Sequence, residues 1–484
     1  MGIYLLVDFG STYTKVAAVD LEKEDLIGWA QAATTIHADI TAGFHKALSQ
    51  LTKDCGIDLA QVRGKYACSS AAGGLKMAAI GLVPELTLEA ARTAALGAGA
   101  KVVRAYSFEI DEEIVREIEE AKCDIVLLSG GTDGGDKKTI IHNAEMLADS
   151  QIGCPILVAG NRVAANKVKS ILESRDKIAY VSRNVLPSLD VVDVEPAQNV
   201  IRDIFLSHIV KAKGLDKAQE FIGKAIMPTP KASLLAAGLL AEGANREPGI
   251  GSLMIVEIGG ATTNVHSAAE NVPATPQAIF KGLPEQKLKR TVEGDLGIRY
   301  NAGTLYDLVG EEALRSGLDS FPPSGDGEKT DIGQYIQKVR DAVEHVPSSS
   351  AEQDLDRALA QSAASIAVDR HAGTVRREYS ISGEITVQYG KNLLDVENII
   401  GTGGIFKYGQ HPERILQAGL FDARKPWSLK PKAPKAYVDA DYILYGIGLL
   451  SQDYPAQALR IAKKRLKQIK MEQRNAEGCM SNSE

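Results

Sequence analysis

The pattern of apolar and polar residues predicts that the chain opens with a β-meander. Runs rich in apolar residues at Ile3–Val7, Lys15–Val19 and Trp29–Thr34 have the length of strands and are separated by polar turns. Apolar residues then recur at helical spacing from Ile40 to about Leu51, and Lys65–Ser69 has the character of another strand. The first part of the chain is therefore predicted to be a small sheet with a helix packed on it.

One stretch of this meander occurs a second time, after residue 250. Residues 5–16 and 254–265 align without a gap, and each reads as an apolar strand, an acid, a glycine, a hydroxyl-rich turn and a second strand. The alignment pairs Asp8 with Glu257, Gly10 with Gly259, and Thr14 with Thr263. One such hairpin alone is typical of an ordinary turn, but its repetition in a second half favours a duplicated fold.

The two hairpins carry the residue types that a phosphate site needs. An acid at the end of a buried strand holds a metal ion, usually through water. The glycine after it lets the backbone turn sharply close to a ligand. Amides and hydroxyls that follow can face phosphate oxygens. Two facing hairpins of this kind predict a site that binds one phosphate chain and its Mg²⁺ from both sides.

From about residue 109 the pattern changes to alternating helices and strands. Helices are predicted at Glu112–Lys122 and Asn161–Glu173, and strands at Asp124–Leu128, Pro155–Ala159 and Ile178–Val181. Such alternation is typical of a parallel sheet, so the pattern predicts a βαβ subdomain inserted in the first half.

A glycine-rich loop, Ser129–Asp136, follows the first strand of this insert. Ligands bind at the carboxyl ends of strands in parallel sheets, which favours a binding loop. Glycines also serve in a tight turn from strand to helix. Both interpretations stay open at this point.

The remaining elements follow from the same periodicities. Predicted helices are Ala90–Ala100, Ala197–Val210, Ser233–Ala241, Ile332–Val346, Glu352–Arg370 and Asp439–Leu450, and predicted strands are Met77–Leu82, Tyr379–Gly383 and Val396–Ile400, the last core strand. Pro228-Thr229-Pro230 is expected to break the chain, and residues 320–330 to form a loop. The tail has a helical apolar stripe, Leu459, Ala462, Leu466 and Ile469, opposite a basic face that is expected to be solvated rather than to bind a partner helix.

Composition narrows the class of protein. The net charge of −7 argues against a nucleic-acid-binding protein, and no apolar run is long enough to span a bilayer. The chain has no P-loop and no zinc motif, and its 5 cysteines have no metal-ligand spacing. We expect no secretory leader, free thiols and a cytoplasmic location.

The two hairpins and a third glycine turn, Gly401-Thr402-Gly403-Gly404, resemble the phosphate-1, phosphate-2 and adenosine motifs of the actin, Hsp70 and sugar-kinase superfamily. The resemblance implies an α/β fold of the duplicated, ribonuclease H-like kind, in which two ATPase domains close on ATP. It implies these parts: domain I at 1–108 and 214–250, the insert at 109–213, domain II at 251–450 with a helical insertion at about 300–375, and a basic tail at 451–484. Phosphate-2 of the superfamily usually carries Asp, where this chain has Glu257.

A closer resemblance covers nearly the whole chain. The stretches Asp8–Lys15, Leu128–Gly135, Arg290–Gly297 and Gly401–Gly404 are similar to the GlmL-type accessory proteins of adenosylcobalamin-dependent glutamate (methylaspartate) mutase. That family implies a chaperone-like ATPase, expected to reactivate the mutase by releasing damaged cobalamin. The partner would be the mutase subunits, and the insert (110–210) is the expected contact.

The resemblance also implies roles for individual residues, with ATP and Mg²⁺ as cofactors. Asp8 and Glu257 would hold Mg²⁺ or orient the attacking water. The predicted nucleotide contacts are Gly10, Ser11, Thr12 and Lys15 in the first hairpin, Gly259, Gly260 and Thr262 in the second, and Gly401, Gly403, Gly404 and Lys407 at the adenosine. A lysine at a strand start, such as Lys15, usually faces solvent.

Three rival functions remain at the sequence level. A small-molecule kinase would need an acid as base, for which Asp133 or Asp136 are available. An actin-like filament and a hydantoinase-like or acetone carboxylase-like subunit use the same hairpins. The run Asp369–Gly373 approaches the cobalamin-binding Asp-x-His-x-x-Gly signature but is one residue short, so we interpret it as a helix end.

Overall fold

The amino-terminal meander builds the first sheet, as predicted. In the computed structural model, which describes residues 2–35, 40–70, 75–189, 191–205, 216–224, 226–319, 331–380 and 383–471, its strands and helix are β1 Ile3–Phe9, β2 Tyr13–Asp20, β3 Asp25–Ala33, α1 Ile40–Cys55 and β4 Val62–Ser69. Strands β1 to β3 are antiparallel, whereas β4 runs parallel to β1. The parallel pairing places the carboxyl ends of β1 and β4 side by side, next to the first hairpin.

The inserted subdomain contains a fully parallel sheet, as predicted. Its elements are β5 Lys76–Gly81, α2 Glu89–Gly97, β6 Lys101–Ser107, α3 Glu112–Ala121, β7 Ile125–Leu128, α4 Lys138–Ala148, β8 Ile156–Val158, α5 Arg162–Glu173 and β9 Ala179–Val181. The strand order is β6-β5-β7-β8-β9. The sheet therefore takes β5 and β6 from before residue 109, and β5 lies between β6 and β7.

The chain then returns to the first sheet. The elements are α6 Glu195–Ile204, α7 Asp216–Ile222, β10 Met227–Pro228 and α8 Thr229–Glu242, followed by the small hairpin of β11 Gly243–Ala244 and β12 Glu247–Pro248. The predicted helix Ala197–Val210 is seen to Ile204, and its end lies outside the described residues. The break predicted at Pro228-Thr229-Pro230 is the boundary between two elements, because β10 ends at Pro228 and α8 begins at Thr229, with Pro230 in its first turn, where the missing N–H costs nothing.

The second half repeats the pairing of the first. Its first elements are β13 Leu253–Ile258, β14 Thr263–Ala268, β15 Ile279–Lys281, β16 Leu288–Glu293, α9 Ala302–Val309, α10 Glu311–Asp319, α11 Ile332–Asp341 and α12 Ser350–His371. Strands β13, β14 and β16 are antiparallel, in the same way as β1, β2 and β3. This repeated pairing confirms the predicted duplicated two-domain α/β fold.

The rest of the second half completes this sheet. Its elements are β17 Thr374–Ser380, β18 Gly383–Tyr389, β19 Asn398–Thr402, α13 Gly404–Tyr408, α14 Pro412–Ala418, β20 Lys435–Asp439, α15 Leu444–Leu450, α16 Pro455–Arg465 and β21 Leu466–Ile469. Strand β19 runs parallel to β13, as β4 does to β1, and the order is β16-β14-β13-β19-β20-β21. The strand predicted at Tyr379–Gly383 falls on two strands, because Tyr379 and Ser380 end β17 and Gly383 begins β18, while residues 381–382 lie outside the described residues.

Three predictions at the carboxyl end are wrong. Val396–Ile400 is not the last core strand, because β20 and β21 continue the sheet. Asp439–Leu450 is not one helix, because Asp439 ends β20 and its side chain accepts from the backbone N–H groups of Ile443 and Leu444. The stripe ends at Ala462, since Leu466 and Ile469 lie in β21.

The basic face of the tail is not simply solvated. Arg465 pairs with Asp25, Lys463 with Glu247, and Arg460 with Glu24. These partners belong to β3, β12 and the turn before β3, so the tail is tied to the first half.

The two halves also exchange helices. Helix α8, from the first half, packs on β13 and β14, and α15, from the second half, packs on β1 and β4. At their crossing, a Cβ on Gly448 would collide with the carbonyl of Ala232. Both helices share one apolar core with the facing sides of the two sheets, which include Leu6, Val19, Leu253 and Ile255.

Candidate functional site

The repeated hairpins have the same backbone geometry. The N–H of Gly10 donates to the carbonyl of Tyr13 at 3.1 Å, and the N–H of Gly259 donates to the carbonyl of Thr262 at 2.9 Å. A Cβ on Gly10 would lie 2.5 Å from the Tyr13 oxygen, so only glycine fits this turn. The turns face each other, because a Cβ on Gly260 would lie 3.1 Å from Oγ1 of Thr12.

Asp8 lies at the centre of a buried polar cluster. One of its carboxylate oxygens accepts from the Lys15 ammonium at 2.6 Å, and the other accepts from the Thr229 hydroxyl at 2.7 Å and the Cys68 thiol at 3.5 Å. Lys15 is only 8% exposed, so it does not face solvent as a lysine at a strand start usually does. Its ammonium also lies 3.8 Å from the centroid of the Tyr442 ring.

The buried Lys15 ammonium stays charged. Burial opposes the charged ammonium, but the Asp8 carboxylate outweighs it and raises the pKa of Lys15 well above its ordinary value. The sequence showed Thr229 only as part of a suspected break, so its role as a partner of Asp8 was missed.

Glu257 has a different set of partners from Asp8. Its Oε2 accepts from Nε2 of His266 at 3.2 Å and from the amide of Asn264 at 3.4 Å. Burial raises the pKa of Glu257, but the hydrogen bond from His266, with the charges of Lys15 and Arg290, lowers it below the ordinary value. Burial lowers the pKa of His266, so the pair is a carboxylate held by a neutral imidazole.

A segment after β16 supports the second hairpin from behind. The backbone N–H groups of Ile298, Arg299 and Tyr300 donate to the carbonyls of Gly259 and Gly260. The Asn301 amide donates to the carbonyl of Ala261 at 2.6 Å. Arg299 is fixed in turn by a bidentate pair with Asp356, at 2.8 and 2.6 Å. The motif Arg290–Gly297 thus leads directly into the support of the phosphate-2 turn.

The third glycine turn is built at the end of β19. A Cβ on Gly401 would collide with the Phe406 ring, and one on Gly403, whose φ is +118°, would collide with the Ile258 carbonyl. Gly404 has open space around its Cα. The turn therefore packs close to the second hairpin, and Gly404 faces the cavity between the halves.

Lys407 does not lie on the cavity wall. Its ammonium lies 3.3 Å from the centroid of the Trp29 ring and donates to the carbonyl of Asp441 at 3.1 Å. Burial lowers its pKa to about 8. Lys407 thus joins the second half to β3 of the first.

The Lys407–Trp29 contact predicts a pH-dependent fluorescence signal. The ammonium is charged below pH 8 and neutral above it, so the cation–π contact should disappear with a midpoint near pH 8. Because the folded pKa lies below the ordinary value, the protonated form costs stability, and this cost is relieved progressively as pH rises from about 8 toward the ordinary value of 10.5. The experiment titrates tryptophan fluorescence from pH 6 to 10 in the Trp427→Phe variant, in which Trp29 is the remaining tryptophan. The midpoint of the fluorescence change measures the pKa of Lys407.

Lys407→Met in the same Trp427→Phe background is the control, since it keeps an apolar chain over the ring but removes the ionisable group. A transition near pH 8 that persists in this variant would contradict the assignment.

A cavity of about 590 Å³ lies between the two hairpins. It is lined by ten of the predicted residues: Asp8, Gly10, Ser11, Thr12, Lys15, Glu257, Gly259, Gly260, Thr262 and Gly404. Gly401, Gly403 and Lys407 are not part of its lining. Residues that sequence reasoning did not assign to the site also line it, including Lys76, Lys101, Arg290, Tyr442 and the segment 343–347. Tyr13 donates to the carbonyl of Glu344 at 3.3 Å, which brings this segment over the first hairpin.

The glycine-rich loop of the insert is held by two buried asparagines. Asn161 donates to the carbonyls of Gly135 and Asp136, and Asn184 donates to the carbonyl of Gly131 and to Asp133. These contacts fit a tight structural turn. Asp133 and Asp136, the acids that a kinase would have needed, do not line the cavity.

The run Asp369–Gly373 is a helix end, as predicted. Helix α12 ends at His371, whose ring is buried between Ser267 and Thr291 at 2.8 and 3.0 Å.

The charged groups at the hairpins suit Mg²⁺ only if a phosphate brings the ion. Within the described ranges, no three His, Cys, Asp or Glu residues converge as a metal site. Both oxygens of Asp8 already accept hydrogen bonds. Mg²⁺ keeps several waters and binds one or two carboxylates together with phosphates, which fits Asp8 and Glu257 facing one cavity.

Comparison with known proteins identifies the family. The model of the family described as MutL protein matches residues 4–466. The chain is also 46% identical over 469 residues to Protein MutL of Clostridium tetanomorphum, covering 97% of this chain and 100% of that protein. The chain belongs to the MutL protein family.

Solved structures similar to this MutL family member are distant. Component A of (R)-2-hydroxyglutaryl-CoA dehydratase from Acidaminococcus fermentans is 9% identical, with coverage of 96% and 99% and a TM-score of 0.29. Gluconate kinase from Lactobacillus acidophilus is 10% identical, with coverage of 97% and 93% and a TM-score of 0.36. A diol dehydratase-reactivating factor in nucleotide-free form is 10% identical, with coverage of 93% and 99% and a TM-score of 0.35.

Among the described residues of this MutL family chain, no helix is both long and apolar enough to cross a membrane.

Proposed function

We propose that this chain is a nucleotide-driven accessory factor that reactivates an adenosylcobalamin-dependent glutamate (methylaspartate) mutase. The observation that carries the proposal is the pair of facing hairpins, each closed by the same glycine N–H to carbonyl bond, around one cavity. Four sequence motifs are similar to those of accessory proteins of this mutase, and this similarity supports the mutase as the partner. ATP is the proposed ligand, with its phosphates between the hairpins.

Each residue that lines the cavity near the hairpins would have a separate role toward the nucleotide. Amides and hydroxyls of Ser11, Thr12, Gly260 and Thr262 would donate to the phosphates, and Lys15 would exchange part of its contact with Asp8 for a phosphate oxygen. Asp8 would hold water on Mg²⁺, which neutralises charge on the phosphates when bound. Glu257, kept ionised by His266, would orient the attacking water. A slow reaction of this kind suits a switch between open and closed halves, which differ in nucleotide affinity.

The test follows ATP turnover by the purified protein, alone and with a glutamate mutase loaded with inactive hydroxocobalamin. Recovery of mutase activity in added adenosylcobalamin should require ATP. Glu257→Gln, which keeps the size of the side chain, should still bind ATP but lose turnover and recovery by about 100-fold, since an essential water-orienting group contributes that much.

Glu384→Gln is the matched control, because Glu384 lies in the β17–β18 hairpin away from the cavity. ATP binding without any effect on the mutase would reject the accessory role. Transfer of phosphate to a small acceptor would then favour a kinase, although Asp133 and Asp136 lie outside the cavity.

A further inference from the structure

Two lysines lie side by side where the inserted sheet meets the cavity. Lys76 opens β5, Lys101 opens β6, and the two are register partners in this parallel pair. Both line the cavity. Within the described part of the chain, neither forms a salt bridge, and like charges placed next to each other are destabilising. Burial, followed by the charge of Lys76, lowers the pKa of Lys101.

A buried arginine adds a third positive charge to the same lobe of the cavity. Arg290 is 5% exposed, and its guanidinium donates to the carbonyls of Leu96 and Ala100 and to the side chain of Asn264. Its Nε has no hydrogen-bond partner among the described residues, which is unusual for a buried donor. Burial lowers the pKa of Arg290 only to about 10, so the group stays charged.

The acids near this lobe each have another partner. Glu257 is held by His266 and Asn264, and Asp295 lies 3.6 Å from Arg370. The lobe thus contains three cations, and the nearby carboxylates already interact with other groups. The excess positive charge would favour binding of an anion. Asn264 joins the lobe to the hairpins, since it contacts both Arg290 and Glu257.

We propose that the lobe between Lys76, Lys101 and Arg290 is a subsite for a phosphoryl oxyanion. Through the two lysines, occupancy of this subsite would change the position of the inserted subdomain. The proposal deepens the proposed function and rests on the nucleotide site between the hairpins. The anion is either the terminal phosphate of bound ATP or the inorganic phosphate that hydrolysis releases.

The position of the lysines gives this subsite a mechanical consequence. Each is the first residue of a strand in the inserted sheet, and Lys101 also donates to the carbonyl of Gly294, in the second half, at 3.3 Å. An anion that attracts both ammoniums removes their repulsion and draws the amino ends of β5 and β6 toward the phosphates. Release of the anion restores the repulsion, so the insert follows the state of the nucleotide.

Lys76→Gln and Lys101→Gln test the subsite, with Lys167→Gln on the exposed side of α5 as the matched control. Calorimetric titrations measure ADP, a non-hydrolysable ATP analogue, and inorganic phosphate added to ADP-bound protein. We expect unchanged ADP affinity and about tenfold weaker binding of the analogue in each lysine variant, because a charge-assisted hydrogen bond contributes that much. Hydrogen exchange of residues 76–107 should show protection by the analogue in the wild type and less in the variants.

The two sources of the anion give different results. If the terminal phosphate alone fills the lobe, only the analogue is affected. If released phosphate also occupies it, phosphate binding to the ADP-bound protein weakens in parallel. Wild-type affinities for all three ligands in both variants would overturn the proposal.

A failure of the proposed function is distinguishable from a failure of the subsite. If the wild type binds no nucleotide, inorganic phosphate is titrated into the nucleotide-free protein. Weaker phosphate binding in the lysine variants would then support the subsite without the nucleotide, and no phosphate binding to the wild type would overturn it.

Discussion

Asp8→Ala should lower the free energy of unfolding by about 3–5 kcal/mol, because it leaves the Lys15 ammonium charged and buried without its partner. The Thr229 hydroxyl also loses its acceptor. The change should appear as a shift in the urea midpoint of the first unfolding transition, followed by circular dichroism at pH 7. An effect of this size would identify Asp8 as a structural centre of the first hairpin.

Asp8→Asn and Lys15→Met, each alone and the two combined, complete this series. Each single change breaks a buried pair, whereas the double change removes both charges and should recover most of the loss. If the single effects simply add in the double variant, the two groups are not coupled, and the buried-pair interpretation is wrong.

Gly10→Ala should weaken ATP binding by about 100-fold, since losing two charge-assisted hydrogen bonds to phosphate costs about 3 kcal/mol. The new Cβ would lie 2.5 Å from the Tyr13 carbonyl, so the turn must open and its amides must leave their positions. Calorimetric titration with ATP measures the affinity directly.

Two other glycines provide graded controls for this change. Gly2→Ala, at the far end of the same strand pair, meets only ordinary contacts with Glu22 at 3.6 Å and should bind ATP like the wild type. Gly259→Ala meets the Thr262 carbonyl at 3.3 Å and should have an effect smaller than that of Gly10→Ala. Equal losses in all three variants would show that general destabilisation, not the geometry of the turn, controls the affinity.

The hairpins were predictable from the sequence because all their determinants are local. The acid, the glycine and the two strands lie within about a dozen residues, and the repeat shows which of them matter. The antiparallel meander of the first half was also predicted, whereas the parallel pairing of β4 with β1 and of β19 with β13 was seen only in the structure.

The partners of the site residues were not predictable, because they lie far away in the sequence. Thr229 contacts Asp8 across 221 residues, and its neighbouring prolines indicated a break rather than a helix start. His266 is closer to Glu257, but nothing in a single strand distinguishes a buried histidine that holds a carboxylate from any other core residue.

The carboxyl-terminal elements were misassigned because their short apolar runs fit both periodicities. Residues 439–450 contain a strand end, a turn and a helix, and only the side chain of Asp439, which accepts from Ile443 and Leu444, separates them. A periodicity count cannot detect such a cap when the flanking residues are equally apolar.

The exchange of α8 and α15 makes each half incomplete without the other. Helix α8 is encoded with the first half but covers β13 and β14, and α15 is encoded with the second half but covers β1 and β4. A polypeptide that ended after α8 would expose the apolar faces of both Leu6 and Val19 on one side and Leu239 and Leu240 on the other. The core between the two sheets therefore cannot form during synthesis until α15 has left the ribosome, whereas the core on the other face of the first sheet is built from buried residues between Ile3 and Ile226 and can form earlier.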